Sequence, residues 1–237
     1  TGERRALALV IFSVLFAQVL LYPGIDRLVH RLGATSDLNA SVWFVGAEFA
    51  AFVVFALVWG VLSDATGRRV PLVVIAALCG SLGYLVLATL PLASPVDFRA
   101  VVGLRFLQGM FTIGAFSLAV TMLMDLSGGH GTNMGAAGIA IGLGLALGSP
   151  VGGLLYERGT FLPLYTAAGL LLLAAVLATR VPDRAPSGDH GRFGAVLAGL
   201  RGTPSLAVPY AFGFVDRLTA GFFAVVGTLY FRTAFGL

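Results

Sequence analysis

Residues 40–72 read ASVWFVGAEFAAFVVFALVWGVLSDATGRRVPL. Residues 40–62 form one apolar block whose single charged residue is Glu48. About 20 such residues cross the hydrocarbon core of a bilayer as a helix. The block ends in a short polar, basic turn at residues 63–69, and apolar sequence resumes at Val70. In lipid every backbone amide must be bonded within the structure, so two such blocks joined by a tight turn read as a transmembrane helical hairpin.

The same pattern extends in both directions. Seven segments are long enough to span: residues 6–25, 40–62, 70–92, 100–124, 132–156, 161–179 and 207–231. The first is followed by Tyr22, Pro23 and Asp26 rather than by a small-residue cleavage site, so it reads as a span and not as a signal peptide. Five connections are short: residues 33–39, 63–69, 91–99, 125–131 and 157–160. The sixth, residues 180–204, holds Pro182, Pro186, Gly188, Gly191, Gly202 and Pro204 among four arginines. Six spans, a long basic loop and a further span read as a six-helix half (1–179), a linker (180–206) and the first helix of a second half (207–237). The chain starts at Thr1 rather than Met, which reads as a trimmed or partial chain.

Composition narrows the chemistry. Of 237 residues, 58% are hydrophobic and 11% charged, against about 25% charged in soluble domains, and the mean hydropathy is strongly positive. An ordinary soluble domain is excluded. All fifteen basic residues are arginine, which removes the lysine of a Schiff base or of a Walker-type phosphate loop. Cys79 is the sole cysteine, so no intrachain disulfide or cysteine metal cluster can form. His30, His130 and His190 all fall in polar connections, leaving no histidine in a span as a base or metal ligand. The net charge of +4 comes from arginines at span ends and is no argument for nucleic acid.

Those arginines orient the chain. With the N-terminus in the cytoplasm, the inside receives Arg4, Arg5, Arg68, Arg69, Arg180, Arg184, Arg192 and Arg201. The outside receives Arg27, Arg31, Arg99, Arg158 and Arg232. Eight against five favours a cytoplasmic N-terminus and a cytoplasmic long loop.

Three motifs carry more. Between the second and third spans lie Gly60, Leu62, Asp64, Gly67, Arg68 and Arg69. Read physically, this is a tight turn capped by Asp64 and Gly67 with positive-inside arginines, or a gate in which Asp64 and Arg68 face each other one turn apart. The spacing resembles the signature loop of the major facilitator superfamily of secondary transporters, G-x-L-x-D-x-x-G-R-R/K, in the same topological place. The fourth span carries Arg105, Gln108 and Gly109, similar to that family's R-x-x-Q-G. A charge inside a span costs about 3 kcal/mol unless paired or hydrated, though an arginine five residues past Ala100 could also snorkel to the outer interface. The fifth span carries Gly144, Gly148, Pro150, Gly152 and Gly153. Small residues one turn apart permit close helix packing, and Pro150 permits a bend. The run resembles the family's antiporter motif, G-x-x-x-G-P-x-x-G-G, with Ser149 where the motif has proline and Pro150 one residue later.

The resemblance implies an all-α bundle of two inverted three-helix repeats, Arg105 facing a central cavity with a role in proton coupling, and an Asp64–Arg68–Asp125 charge network that breaks and re-forms as a gate works. It further implies that Asp64 and the glycine face of the fifth span meet helices of the second half. Other polar residues in the spans are Gln18 and Tyr22, which would face the region of Glu48, and Asp216 with Arg217 in the seventh span. The last two read either as a neutral pair or as a proton site; adjacent helical residues point about 100° apart, so a mutual pair is geometrically poor. Glu48 and Asp216 are the preferred proton carriers.

The resulting expectation is a proton-coupled secondary transporter working by alternating access, an efflux antiporter for a small organic molecule or drug. It needs no cofactor beyond the proton gradient. Its partners are the lipid bilayer, the small-molecule substrate and the remaining helices of the full transporter, and its place is the cytoplasmic (inner) membrane of a bacterium or archaeon. The alternatives are a proton-symport importer, for which a carboxylate rather than Gln18 in the first span would argue, and a non-transporting seven-helix receptor or scaffold. No catalytic constellation supports an enzyme.

Overall fold

The computed structural model describes residues 2–34, 37–92, 97–183, 205, 207–227 and 230. Its elements are α1 (Gly2–Val19), α2 (Ile25–Arg31), α3 (Asp37–Thr66), α4 (Val70–Thr89), α5 (Phe98–Met124), α6 (His130–Arg158), α7 (Leu162–Ala178) and α8 (Ala207–Phe222). Among the described residues no strand occurs, and five helical stretches are long and apolar enough to cross a membrane; α7 is a shorter apolar helix of 17 residues.

The helices overrun the apolar blocks where polar caps allow it. Asp97 precedes α5 and its Oδ1 accepts a hydrogen bond from the amide of Arg99 at 2.9 Å, satisfying one of the first-turn donors that a helix leaves unpaired. At the end of α3, Gly67 has φ +60°, the left-handed conformation that stops a helix with little cost only at glycine. Pro71 and Pro163 stand in the first turns of α4 and α7, where a missing N–H costs nothing.

The first span departs from its expected limits. It does not run straight to residue 25: α1 stops at Val19, a single 3₁₀ turn covers Tyr22–Gly24, and α2 carries the chain on to Arg31. Pro23 removes a helical donor at the elbow. Gly24 lies against the ring of Tyr156, where an added Cβ would come within 2.6 Å of the ring. The Tyr156 hydroxyl donates to the carbonyl of Leu21 at 3.0 Å, which ties α6 to the elbow.

The packing order has an internal symmetry. α3 packs on α5 and α1 on α6; α4 packs on α5 and α1 on α7; α4 also packs on α7. Exchanging α1, α3, α4 for α5, α6, α7 carries the first pair of contacts into each other, does the same for the second pair, and returns the fifth to itself. This is the contact set of two three-helix repeats related by a two-fold axis. α8 leans on α3.

Large apolar side chains such as Leu82, Ile139, Leu154 and Val54 stand exposed around the bundle, while Ser13, Gln18, Ser81, Thr112 and Asn133 are buried. That inversion belongs to a helical bundle in lipid, where apolar surface gains nothing from hiding and polar contacts and close packing hold helices together.

Candidate functional site

The three bulkiest fully buried side chains among the described residues are Arg105, Tyr84 and Phe44, and they meet at one place. Arg105 Nη2 lies 2.5 Å from Glu48 Oε2, with both side chains fully buried. The guanidinium also stands over the ring of Phe44, 4.9 Å from its centroid, and near that of Tyr84, at 5.5 Å. Arg105 donates a further hydrogen bond to Gln108 Oε1. Gln108 Nε2 donates to Thr112 Oγ1 at 2.5 Å, and the Thr112 hydroxyl donates to the Gln108 carbonyl at 3.0 Å.

Helical spacing builds this cluster. Arg105, Gln108 and Thr112 succeed one another at three and four residues along α5, and Phe44 and Glu48 at four along α3, so each set shares a face. The helices approach closely because glycines stand at the contacts. A Cβ on Gly109 would come within 3.0 Å of Glu48 Cα, and one on Gly83 within 2.7 Å of Gln108 Cγ. Glu48 lies 11 residues into α3 and Arg105 seven into α5, about 16 Å and 10 Å along their helices at 1.5 Å per residue. Neither side chain reaches water by snorkelling; each charge is balanced by the other.

Gln18 and Tyr22 adjoin this cluster. Gln18 Nε2 donates to the Tyr22 hydroxyl at 2.7 Å, and Tyr22 is close enough to interact with the charges of both Glu48 and Arg105. Gln18 and Thr112 also line a cavity of about 80 Å³ whose other walls are Val14, Leu15, Phe52, Ile113 and Phe116. The cavity is apolar with two neutral polar groups, and the ion pair sits beside it.

Asp216 lies elsewhere: it is exposed on α8, which packs on α3, and is not part of the buried cluster. The side chain of Arg217 lies outside the described residues.

At the opposite end of α3 the signature turn forms an ion-pair network, with one change from expectation. Arg69, not Arg68, is the bridging cation. Its guanidinium contacts Asp125 at the end of α5 and lies 3.7 Å from Asp64. Arg69 is buried and Arg68 is exposed. The reason is the left-handed Gly67: once the chain reverses there, the residue immediately before α4 stands over the end of α5, and its predecessor points away. Gly60 meets no neighbour within 4 Å of a built Cβ among the described residues, so its surface is open here.

Asp183, which sequence reading did not single out, completes the turn. Its carboxylate accepts hydrogen bonds from the amide of Arg69 at 3.1 Å to both oxygens and from that of Val70 at 3.3 Å. It caps the start of α4 and ties the segment after α7 to the charged turn. Phe44 and Thr112, also missed, carried a readable signal, since each stands four residues from a flagged polar residue. Asp183 carried none.

The glycines of α6 pack within the bundle, not outside it. A Cβ on Gly148 would come within 2.6 Å of Val19 Cβ, one on Gly144 within 3.1 Å of Leu15 Cβ, and one on Gly152 would collide with the Leu20 carbonyl. The partner of this face is therefore α1, which corrects the expectation of a second-half helix. Among the described residues Gly153 meets nothing within 4 Å, and Pro150 is exposed, so these two do not share the packing face.

A bundle of apolar helices in two related repeats, closed around an ion pair that water does not reach, defines an integral membrane transport protein of the multi-pass helical class. The chain belongs to the major facilitator superfamily: the family model described as Major Facilitator Superfamily matches residues 7–237. It is accordingly a secondary transporter of a small molecule, embedded in a lipid bilayer, and not an enzyme. No curated protein matches the chain.

Proposed function

We propose that this transporter couples substrate movement to protons through Glu48 and Arg105, and that it works by alternating access as an exporter of a small organic molecule. The observation that carries the reading is the buried Glu48–Arg105 pair. A charge within a span is expensive unless it is paired, and breaking a buried pair by neutralising one partner leaves the other uncompensated. Glu48 carries either a proton or, when ionised, the polar group of a ligand that reaches it from the adjoining cavity. Substrate and proton then compete for one site, which is the requirement for exchange. The walls of that cavity, aliphatic and aromatic with Gln18 and Thr112, suit a largely apolar organic molecule with a polar group. The resemblance of the α6 glycine run to the antiporter motif favours export.

In the same reading residues 1–179 are the N-terminal half, 180–206 a cytoplasmic linker and 207–237 the first helix of the second half. The N-terminus is cytoplasmic, the host membrane is the cytoplasmic membrane of a bacterium or archaeon, and Asp64, Arg69 and Asp125 form the inner gate. The test is transport by the full-length protein in proteoliposomes with an imposed pH gradient. Glu48→Gln is expected to abolish proton-driven flux while substrate exchange at equal pH survives. Proton-driven flux at the wild-type rate in that variant overturns the coupling assignment. Wild-type flux driven in the import direction only would identify a symporter instead.

A further inference from the structure

We infer that the elbow between the first two spans is a binding site for a phosphate-bearing anion, such as the headgroup of an acidic phospholipid. Asp26, Arg27, His30, Arg31 and Thr160 line an open cavity of about 300 Å³ at the end of the bundle where α2 meets the turn between α6 and α7. α2 turns Ile25, Leu28 and Val29 into the core and leaves Arg27, His30 and Arg31 exposed. Arg27 and Arg31 are four residues apart, so their guanidiniums share one face, and like charges at that spacing repel in an isolated helix. An anion between them reverses the sign of that interaction. Arginine is also suited to the task, because its planar fork makes paired hydrogen bonds to phosphate oxygens.

The cavity keeps a net positive charge. Among the lining residues two arginines outweigh the single carboxylate of Asp26, and Thr160 contributes a hydroxyl to the same lining. The site is also held in shape: the elbow beneath it is fastened by Tyr156, which bonds Leu21 and backs Gly24. It stands apart from the Glu48–Arg105 cluster and from the charged turn at the other end of α3.

The experiment measures thermal unfolding of the full-length transporter in neutral detergent, titrated separately with phosphatidylglycerol, phosphatidylcholine and inorganic phosphate. Phosphatidylglycerol is expected to raise the midpoint where phosphatidylcholine does not. The Arg27→Gln/Arg31→Gln variant is expected to need at least about tenfold more phosphatidylglycerol for half the shift, the change that loss of a charge-assisted hydrogen bond produces. Arg27→Lys/Arg31→Lys retains most of the response, and Arg99→Gln, an arginine at the start of α5, leaves it intact. A matching shift with inorganic phosphate alone, lost in the same glutamine variant, supports a site for soluble phosphate compounds. An unchanged phosphatidylglycerol response in the glutamine variant, or no response of the wild type to either anion, overturns the proposal.

Discussion

Glu48 and Arg105 are 57 positions apart in the chain yet hold each other at 2.5 Å with no exposed surface on either side chain. Two phenyl rings flank the guanidinium and a glutamine accepts from it, so the cation is enclosed by groups that favour its charge. Removing one member strands the other. Arg105→Ala is expected to lower the stability of the full transporter by about 3–5 kcal/mol, and Arg105→Ala/Glu48→Ala to recover part of that loss. Denaturation of Arg105→Ala, Glu48→Ala and the double variant beside the wild type in matched detergent measures the coupling. Simple additivity of the single losses would mean that the pair contributes no mutual stabilisation.

The register of the charged turn gives a second prediction. Because Arg69 bridges Asp64 and Asp125 while Arg68 faces outward, Arg69→Gln is expected to reduce transport strongly with insertion preserved. Arg68→Gln should retain more than half of wild-type flux. Asp64→Asn should resemble Arg69→Gln. Initial rates in proteoliposomes decide the matter, and the reverse order of the two arginine variants would return the bridge to Arg68.

How far these features were legible in the sequence depends on what each one rests on. Helices α3 to α6 were readable because a bilayer demands about 20 apolar residues and the blocks have that length. Glu48 and Arg105 were readable singly, since each is a charge within such a block, but not as partners. Sequence gives depth along a helix, and the pairing depends on how α3 and α5 are rotated toward each other, which Gly109 at their contact decides. The choice between Arg68 and Arg69 turned on a one-residue reversal at Gly67, beyond the reach of spacing. Likewise the four-residue glycine period of α6 announced a packing face, but its partner α1 came from the tertiary arrangement.

Asp183 offers a third test. Its carboxylate bonds the amides of Arg69 and Val70 at the start of α4, in the manner of an N-terminal cap, a role worth about 0.5–2 kcal/mol. Asp183→Ala should therefore lower the unfolding midpoint modestly. It should also slow transport, because the backbone it holds carries the bridging arginine. Asp183→Asn, which keeps an acceptor oxygen, should lie between the two. Slowed transport with no change in midpoint would assign Asp183 a role other than capping.

The α6 glycines separate packing from mere composition. Gly148 and Gly152 face α1 so closely that an added methyl at either would press on Val19 or the Leu20 backbone, whereas Gly153 meets no neighbour among the described residues. Backbone cannot yield as a side chain can, so Gly152→Ala must push the two helices apart. Overpacking of this kind costs about 1–3 kcal/mol, and the displacement falls beside the elbow that Tyr156 fastens. Gly152→Ala is thus expected to lower thermal stability and folded yield more than Gly148→Ala, where the Val19 side chain is the neighbour. Gly153→Ala should be neutral or slightly stabilising, since alanine favours a helix over glycine by about 1 kcal/mol. Unfolding midpoints of the three variants in one detergent test the order. Equal losses at Gly152 and Gly153 would show that the α1–α6 contact does not set the requirement for glycine.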